Sequence, residues 1–328
     1  MDTQSFEIDQ FRGFLPAKDP LTSLSSYFAA WEQAASELPK LLVTDRIRGI
    51  LDQLPILDTQ SLTNRSEIER SMMVISYLGH AYVWGEKKLC TLLPKCIAIP
   101  WQKLSLKLGR PPVLSYASYA LWNWKRIDPF GPLALGNIAL LQNFLGGIDE
   151  EWFILIHVDI EAKAAQAINV IEKAFEACDQ LDSQGLINAL KDVSISLINI
   201  NKTMDRMTEH CDPYIYYNRV RPYIHGWKDN PSTPNGIIYD GVIEYKGHPQ
   251  KFRGETGAQS SIIPALDALL GIHHDNDPLR HYLNEMRDYM PPKHNEFIKS
   301  VEAHGSIRNF VSKNKETNIE LKDIYNHC

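Results

Sequence analysis

Apolar residues recur at intervals of three and four along most of the 328-residue chain, the spacing of helices that bury one face. One run, Ile68, Met72, Ile75, Leu78 and Tyr82, is entered by Asn64 with Glu67 three residues on, the arrangement of a helix-capping box. A second stripe, Leu186, Leu190, Val193, Leu197, Ile200, Met204 and Met207, predicts another long helix. Glu150–Cys178 reads as one continuous helix, apolar on most sides at first and then striped by Ala164, Ile168, Ile171 and Phe175. Shorter helices are expected over Leu24–Leu38, Leu42–Leu54, Leu114–Trp124, Tyr214–Gly226, Gln259–Leu270, Leu279–Met290 and Asn295–His304. One hairpin-like stretch, Ile237–Phe252, has Gly241 and Gly247 near its turns. Strands and helices nowhere alternate, so a doubly wound sheet is disfavoured and the expected class is all-α. Pro94, Pro100, Pro111 and Pro112 interrupt the pattern between Leu92 and Pro112 and predict an interdomain crossing. The boundary is placed near residue 105, with a small, mixed but mainly helical domain over 1–105 and a large helical domain over 106–328.

Composition narrows the function classes. The chain is 44% hydrophobic and 23% charged, with a net charge of −6, which suits an ordinary globular protein and not one that wraps nucleic acid. Five cysteines form no disulfide framework, and Cys90 and Cys96 lack metal-finger spacing. Reduced thiols in a cytoplasmic protein are expected. No basic leader with an apolar run opens the sequence, and no window reaches a bilayer-spanning length of about 18 apolar residues, so no membrane partner is expected.

Several residues carry chemistry. His273 and His274 are adjacent, so on a helix they point roughly 100° apart and serve one ion poorly. Gly254–Ser261 places small residues and hydroxyls before an apolar helix. It reads either as a helix start capped by its own serines or as a loop whose backbone N–H groups and Thr256 face a polar or planar ligand. Arg219 and Arg221 sit beside Tyr214, Tyr216, Tyr217 and Tyr223. A guanidinium among rings suits a carboxylate on a flat apolar body, and equally a structural ion pair under a tyrosine-rich surface. His157, between Ile156 and Val158, reads first as a core histidine.

Longer blocks carry a resemblance. Arg12-Gly-Phe-Leu-Pro16 with Asp19-Pro-Leu21, Leu114-Ser-Tyr-Ala117 with Asn123-Trp-Lys125, and Trp152–Glu161 come first; Arg221–Lys228 with Asn230-Pro231, Gly254–Ile272, and Met286–Pro292 with His294 follow. In this order the chain resembles the indoleamine 2,3-dioxygenase family, and a prokaryotic-type member of it: haem enzymes that open the indole ring of tryptophan.

That resemblance implies a b-type haem, with its iron, held between a small N-terminal domain and a large helical one, and indole and dioxygen as small-molecule partners. Arg221 matches the arginine that pairs with the substrate carboxylate. Tyr216 and Tyr217 fall where the family usually has two phenylalanines, and Tyr116 and Tyr119 belong to the distal-pocket helix. Thr256 takes the place of a serine reaching toward substrate and haem, Gly257 closes on the porphyrin, and Val158, Met204 and Ile263 line it. Leu155 stands at a distal serine position and His225 at another pocket-side serine. The histidine that holds the iron is expected beyond Cys328, with Asp267 implied to pair with an arginine just before it. No metal ligand is therefore assigned within the chain. The large domain is expected to be incomplete at its C-terminus, with haem absent where that histidine is missing. The alternatives on the same scaffold are a haem-binding or haem-sensing protein without turnover, and an inactive scaffold.

Overall fold

The computed structural model describes residues 3–273, 277–305 and 307–328; His274 of the adjacent pair lies outside the described residues. As the periodicity predicts, the fold is all-α, 59% helical with 4% strand. In chain order the helices are α1 (Ala29–Ser36), α2 (Leu38–Leu41), α3 (Ile47–Leu51), α4 (Arg65–Trp84), α5 (Lys95–Leu108), α6 (Ile148–Asn169), α7 (Ile171–Asp179) and α8 (Ser183–Asp205). They continue as α9 (Pro213–Ile215), α10 (Arg221–Ile224), α11 (Ile262–Leu270), α12 (Pro278–Met286), α13 (Pro292–His304), α14 (Arg308–Asn314) and α15 (Ile319–His327). The chain divides into two compact units, one of Asp19–Leu155 with Met207–Gln259, the other of Met1–Lys18 with Ile156–Arg206 and Ser260–Cys328.

The first unit is built around α4. Its capping residue behaves as the spacing predicts: Asn64 Oδ1 accepts from the Glu67 N–H at 2.9 Å. Burial runs through every position from Glu69 to Val83, because α1, α3, α5 and α10 pack against it. Two acids on or beside it are matched by buried arginines. Glu69 pairs with Arg110, both side chains fully buried, and Glu32 pairs with Arg70 at 2.5 Å. His80 is held as a neutral ring: Leu114 N–H donates to Nε2 at 3.0 Å, so Nδ1 carries the proton and donates to the Tyr223 carbonyl at 2.7 Å. Burial lowers its pKa to about 3.

The proline-rich stretch does not interrupt structure as expected. It folds as α5, because Pro94 sits at the N-cap, Pro100 forfeits one internal hydrogen bond, and the left-handed Gly109 ends the helix before Pro111. The two small sheets are β1 (Leu92–Leu93) with β4 (Ile238–Tyr239), and β2 (Trp124–Arg126) with β3 (Ile138–Leu140). The second is antiparallel, whereas β1 and β4 run parallel. The expected hairpin at Ile237–Phe252 is thus only partly one: Ile237 bridges Gln250, while Ile238–Tyr239 pairs with residues far back in sequence. Leu114–Trp124 is likewise cut short. Asn123 Nδ2 donates to the Tyr119 carbonyl, to the Gln142 carbonyl and to Tyr77 Oη, and its Oδ1 receives Gln142 N–H, which turns the chain into β2.

In the second unit α8 packs on α7 and α15, and α11 on α13. The predicted single helix over Glu150–Cys178 is two, broken at Val170. Asn169 Nδ2 bonds the Ala165 carbonyl and also those of Asp9 and Gln10, so a side chain competes for helix acceptors and fastens the N-terminal turn instead. That turn carries the Arg12–Pro16 block. Gly13 has φ +60° and lies against the Ala165 backbone, where a Cβ would crowd it. The stripe on α8 is buried at Leu186, Leu190 and Val193, but Met204 at its far end is 45% exposed.

Candidate active site

Two π-helical turns set the aromatic side chains. Ala117–Leu121 is closed by Trp122 N–H on the Ala117 carbonyl, and Tyr216–Val220 by Arg221 N–H on the Tyr216 carbonyl. Both bonds reach one residue further than in an α-helix, which widens the turn and re-aims its side chains. Pro222 has no N–H to offer the preceding turn, which favours the wide register there. Tyr119 and Tyr216 meet with their hydroxyls 3.2 Å apart, both buried. Tyr77 stacks on Tyr119, and Phe153 stacks on Tyr216 at 3.9 Å and 24°. Burial drives all three phenols well above their ordinary pKa, so each stays a neutral hydrogen-bonding group. Tyr217 points the other way and is 65% exposed; the Arg221 guanidinium lies 5.7 Å from its ring centre.

The Gly254–Ser261 segment is neither a bare loop nor only a capped helix start. Trp227 and Lys228 N–H groups both donate to the Phe252 carbonyl, and Glu255 N–H to the Ile224 carbonyl. Gly226 and Gly254 cross backbone to backbone with no room for a Cβ on either. Gln259, buried, then clasps the turn: its Nε2 donates to the Gly254 carbonyl at 2.9 Å and its Oε1 accepts from Tyr116 N–H at 2.8 Å. The clasp ties Tyr116, itself buried, to a turn in which Thr256 is half-buried and Gly257 exposed.

Two carboxyls belong to this neighbourhood. Glu150 accepts three backbone N–H groups, from Phe144, Leu145 and Gly146. Burial outweighs them and raises its pKa to about 7. Glu255 is raised to about 8 by burial, opposed by the charge of Arg221. The pKa of His225 is lowered by burial and by Arg221.

Arg221, Tyr116, Tyr119, Tyr216, Tyr217 and Thr256 thus come from elements bound to one another through Gln259, Glu255 and the Tyr pair. Sequence reasoning missed Gln259, Glu255, Glu150 and Phe153. Gln259 and Glu255 sit inside the glycine-rich turn, where a polar residue reads as solvent-facing, and no local pattern marks the three amides that Glu150 collects. Of the remaining expected residues, Leu155 lies in this unit, and His157, Val158, Met204, Ile263 and Asp267 lie in the other. Val158 is fully buried, Asp267 half-buried, Leu155 buried and His157 half-buried. Met204 and Ile263 are 45% and 59% exposed. Apolar side chains left uncovered on otherwise buried stripes suit a flat apolar group such as a porphyrin, so the residues present fit a haem. Among the described residues no cluster of three His, Cys, Asp or Glu side chains is placed to bind a bare metal ion, and no helix is long and apolar enough to cross a membrane.

Residues 2–328 match the family described as indoleamine 2,3-dioxygenase. The chain is 37% identical to indoleamine 2,3-dioxygenase 1 of Rattus norvegicus, covering 99% of this chain and 79% of that one. It is 33% identical to indoleamine 2,3-dioxygenase of Saccharomyces cerevisiae, over 99% and 75%. It is 31% identical to a 6-hydroxytryptophan 2,3-dioxygenase of Fusarium equiseti, over 99% and 80%. With a match that spans nearly every residue, this chain belongs to the indoleamine 2,3-dioxygenase family.

Proposed function

We propose that this protein is a cytoplasmic, haem-dependent dioxygenase. It cleaves the C2–C3 bond of the indole ring of L-tryptophan, or of a related indole, to N-formylkynurenine-type products, the opening reaction of tryptophan catabolism. The observation that carries the reading is Arg221: an exposed guanidinium over the Tyr217 ring, beside a buried wall of Tyr119 and Tyr216, in a chain matched to the family from end to end. When bound, the haem supplies the activation of dioxygen. By the family resemblance, Val158, Met204, Thr256, Gly257, Ile263 and Asp267 are the residues that would hold it.

The chain's own residues do the rest. Arg221 anchors the carboxylate with a two-pronged hydrogen bond that fixes the orientation of the amino acid. Tyr217 backs that guanidinium. Phe153 braces Tyr216, so the phenol ring forms a rigid wall for a flat ring. Thr256 offers a hydroxyl from a turn that the Gln259 clasp holds in place. No general base is needed, and His157 has no assigned proton to move.

Replacing Arg221 with Ala removes a charge-assisted contact. Because the guanidinium is exposed before substrate arrives, the loss is set near about 2–3 kcal/mol, roughly 30- to 150-fold in kcat/KM for tryptophan. Tryptamine, which lacks the carboxylate, should lose little, and haem content should not change. Equal losses on both substrates would remove Arg221 from the carboxylate and make it a residue of the fold.

A further inference from the structure

Tyr119 and Tyr216 carry two phenol protons, and the bond between their oxygens at 3.2 Å uses only one of them. A phenol is protonated at neutral pH and can both donate and accept. Among the described residues neither oxygen has a second hydrogen-bond partner, and the two residues are only 1% and 8% exposed. One O–H donor is therefore left without an acceptor where little bulk water reaches it, and a buried donor in that state calls for a partner.

Packing keeps the rings from turning aside to find one. Tyr77 stacks on Tyr119 at 6.3 Å and 19°, and Phe153 stacks on Tyr216 at 3.9 Å and 24°. The turn that carries Tyr119 is itself pinned, since the buried Arg110 guanidinium that pairs with Glu69 also donates to Ser118 Oγ at 3.1 Å. Tyr216 stands one wide turn before Arg221, whose N–H closes that turn on the Tyr216 carbonyl. A ligand held by its carboxylate at Arg221 thus lays its ring system beside the phenols.

The unmet group selects the ligand. The ring of tryptophan offers one N–H donor and no oxygen acceptor, so it leaves the spare phenol proton unmatched. A hydroxyl on the six-membered ring accepts that proton and gives its own to a phenol lone pair, which satisfies both sides. We propose that Tyr119 and Tyr216 form a specificity-determining pair, through which this protein prefers indole amino acids hydroxylated on the six-membered ring over tryptophan. The proposal rests on the reading of Arg221 as the carboxylate anchor and names the substrate class of that same site. A site arranged around a substrate hydroxyl disfavours the analogue that lacks it, because the site's own polar atom then stays unpaired.

The test is calorimetric titration of the haem-loaded ferric protein, where no turnover occurs. The ligands are tryptophan, the tryptophans hydroxylated at each carbon of the six-membered ring, and the fluorotryptophan matching each of them. Fluorine adds a small polar substituent at the same carbon but has no proton to donate and accepts poorly. At least one hydroxytryptophan should bind roughly tenfold more tightly than both its fluoro counterpart and tryptophan, as for a hydrogen bond gained in a buried site. In the double variant Tyr119→Phe with Tyr216→Phe, which keeps both rings, that ratio should fall to near one. The double variant is needed because either phenol alone still offers a hydroxyl. Hydroxy and fluoro ligands that bind equally at every position in the wild type overturn the proposal, whether or not the variant folds. A ratio that survives in the double variant overturns it as well. Arg221→Ala is the parallel arm: if tryptophan binding is unchanged there, the carboxylate anchor fails, while the hydroxy-to-fluoro ratio still decides the phenol pair.

Discussion

Gln259 joins the turn that carries Thr256 to the segment that carries Tyr116, and replacing it with Met isolates that link. Methionine keeps the length and volume of the side chain but neither polar atom. Tyr116 N–H, on a residue 1% exposed, then loses its acceptor at 2.8 Å, and a buried unsatisfied donor costs about 1–3 kcal/mol. The Gly254 carbonyl loses its donor at 2.9 Å; Gly254 is only half-buried, so water recovers part of that bond and the cost is nearer about 1 kcal/mol. The apolar side chain returns about 1 kcal/mol of burial. The expected net loss is about 1–3 kcal/mol in urea unfolding of the haem-loaded protein. KM for tryptophan should rise by more than kcat falls, since the turn positions substrate contacts and not the iron. A stability loss under about 0.5 kcal/mol together with an unchanged KM would show that the turn is held by the Gly226–Gly254 crossing alone, and the clasp argument would be wrong.

Glu69→Gln leaves Arg110 as a buried charge without a counter-ion and should destabilise by about 3–5 kcal/mol. The paired replacement Glu69→Leu with Arg110→Met should cost much less, and a double-mutant cycle by urea unfolding checks both. Stability should also depend on pH with a defined sign. Glu150 and Glu255 have folded pKa values raised to about 7 and about 8 from 4.5, so the fold favours their protonated forms and loses stability as pH rises toward those values. His80 is depressed from 6.5 to about 3, so it costs stability as pH falls below 6.5. The two effects oppose each other between pH 4.5 and 6.5. Above 6.5 only the carboxyls act, so the thermal midpoint should fall from pH 6.5 to 8, and a flat or rising midpoint across that window contradicts the burial of the two acids.

Where a signal is local, the sequence carried it. The Asn64–Glu67 spacing became the cap of α4, and the stripe from Leu186 to Val193 became the buried face of α8, because both depend on residues three or four apart. The prolines between 94 and 112 misled, since proline penalises a helix only where its N–H is wanted, and here three of the four lie at or beyond the helix ends while only Pro100 forfeits an internal bond. The break at Val170 came from Asn169 reaching the carbonyls of Asp9 and Gln10, a contact between distant parts of the chain that no periodicity records. The parallel pairing of Leu92–Leu93 with Ile238–Tyr239 is hidden for the same reason. At the site, Arg221 and the tyrosines were legible because motif and residue type agree. Gln259 was not, because its meaning lies in what surrounds it: one side-chain amide with two backbone partners.

The central claim is that this chain opens the indole ring with both atoms of dioxygen. Haem-loaded, reduced protein is mixed with L-tryptophan under ¹⁸O₂, and the product is weighed by mass spectrometry within a single turnover. The account predicts an N-formylkynurenine-type product carrying two labelled oxygens. A protein that binds both haem and tryptophan yet forms no ring-opened product, or incorporates only one labelled atom, would contradict it.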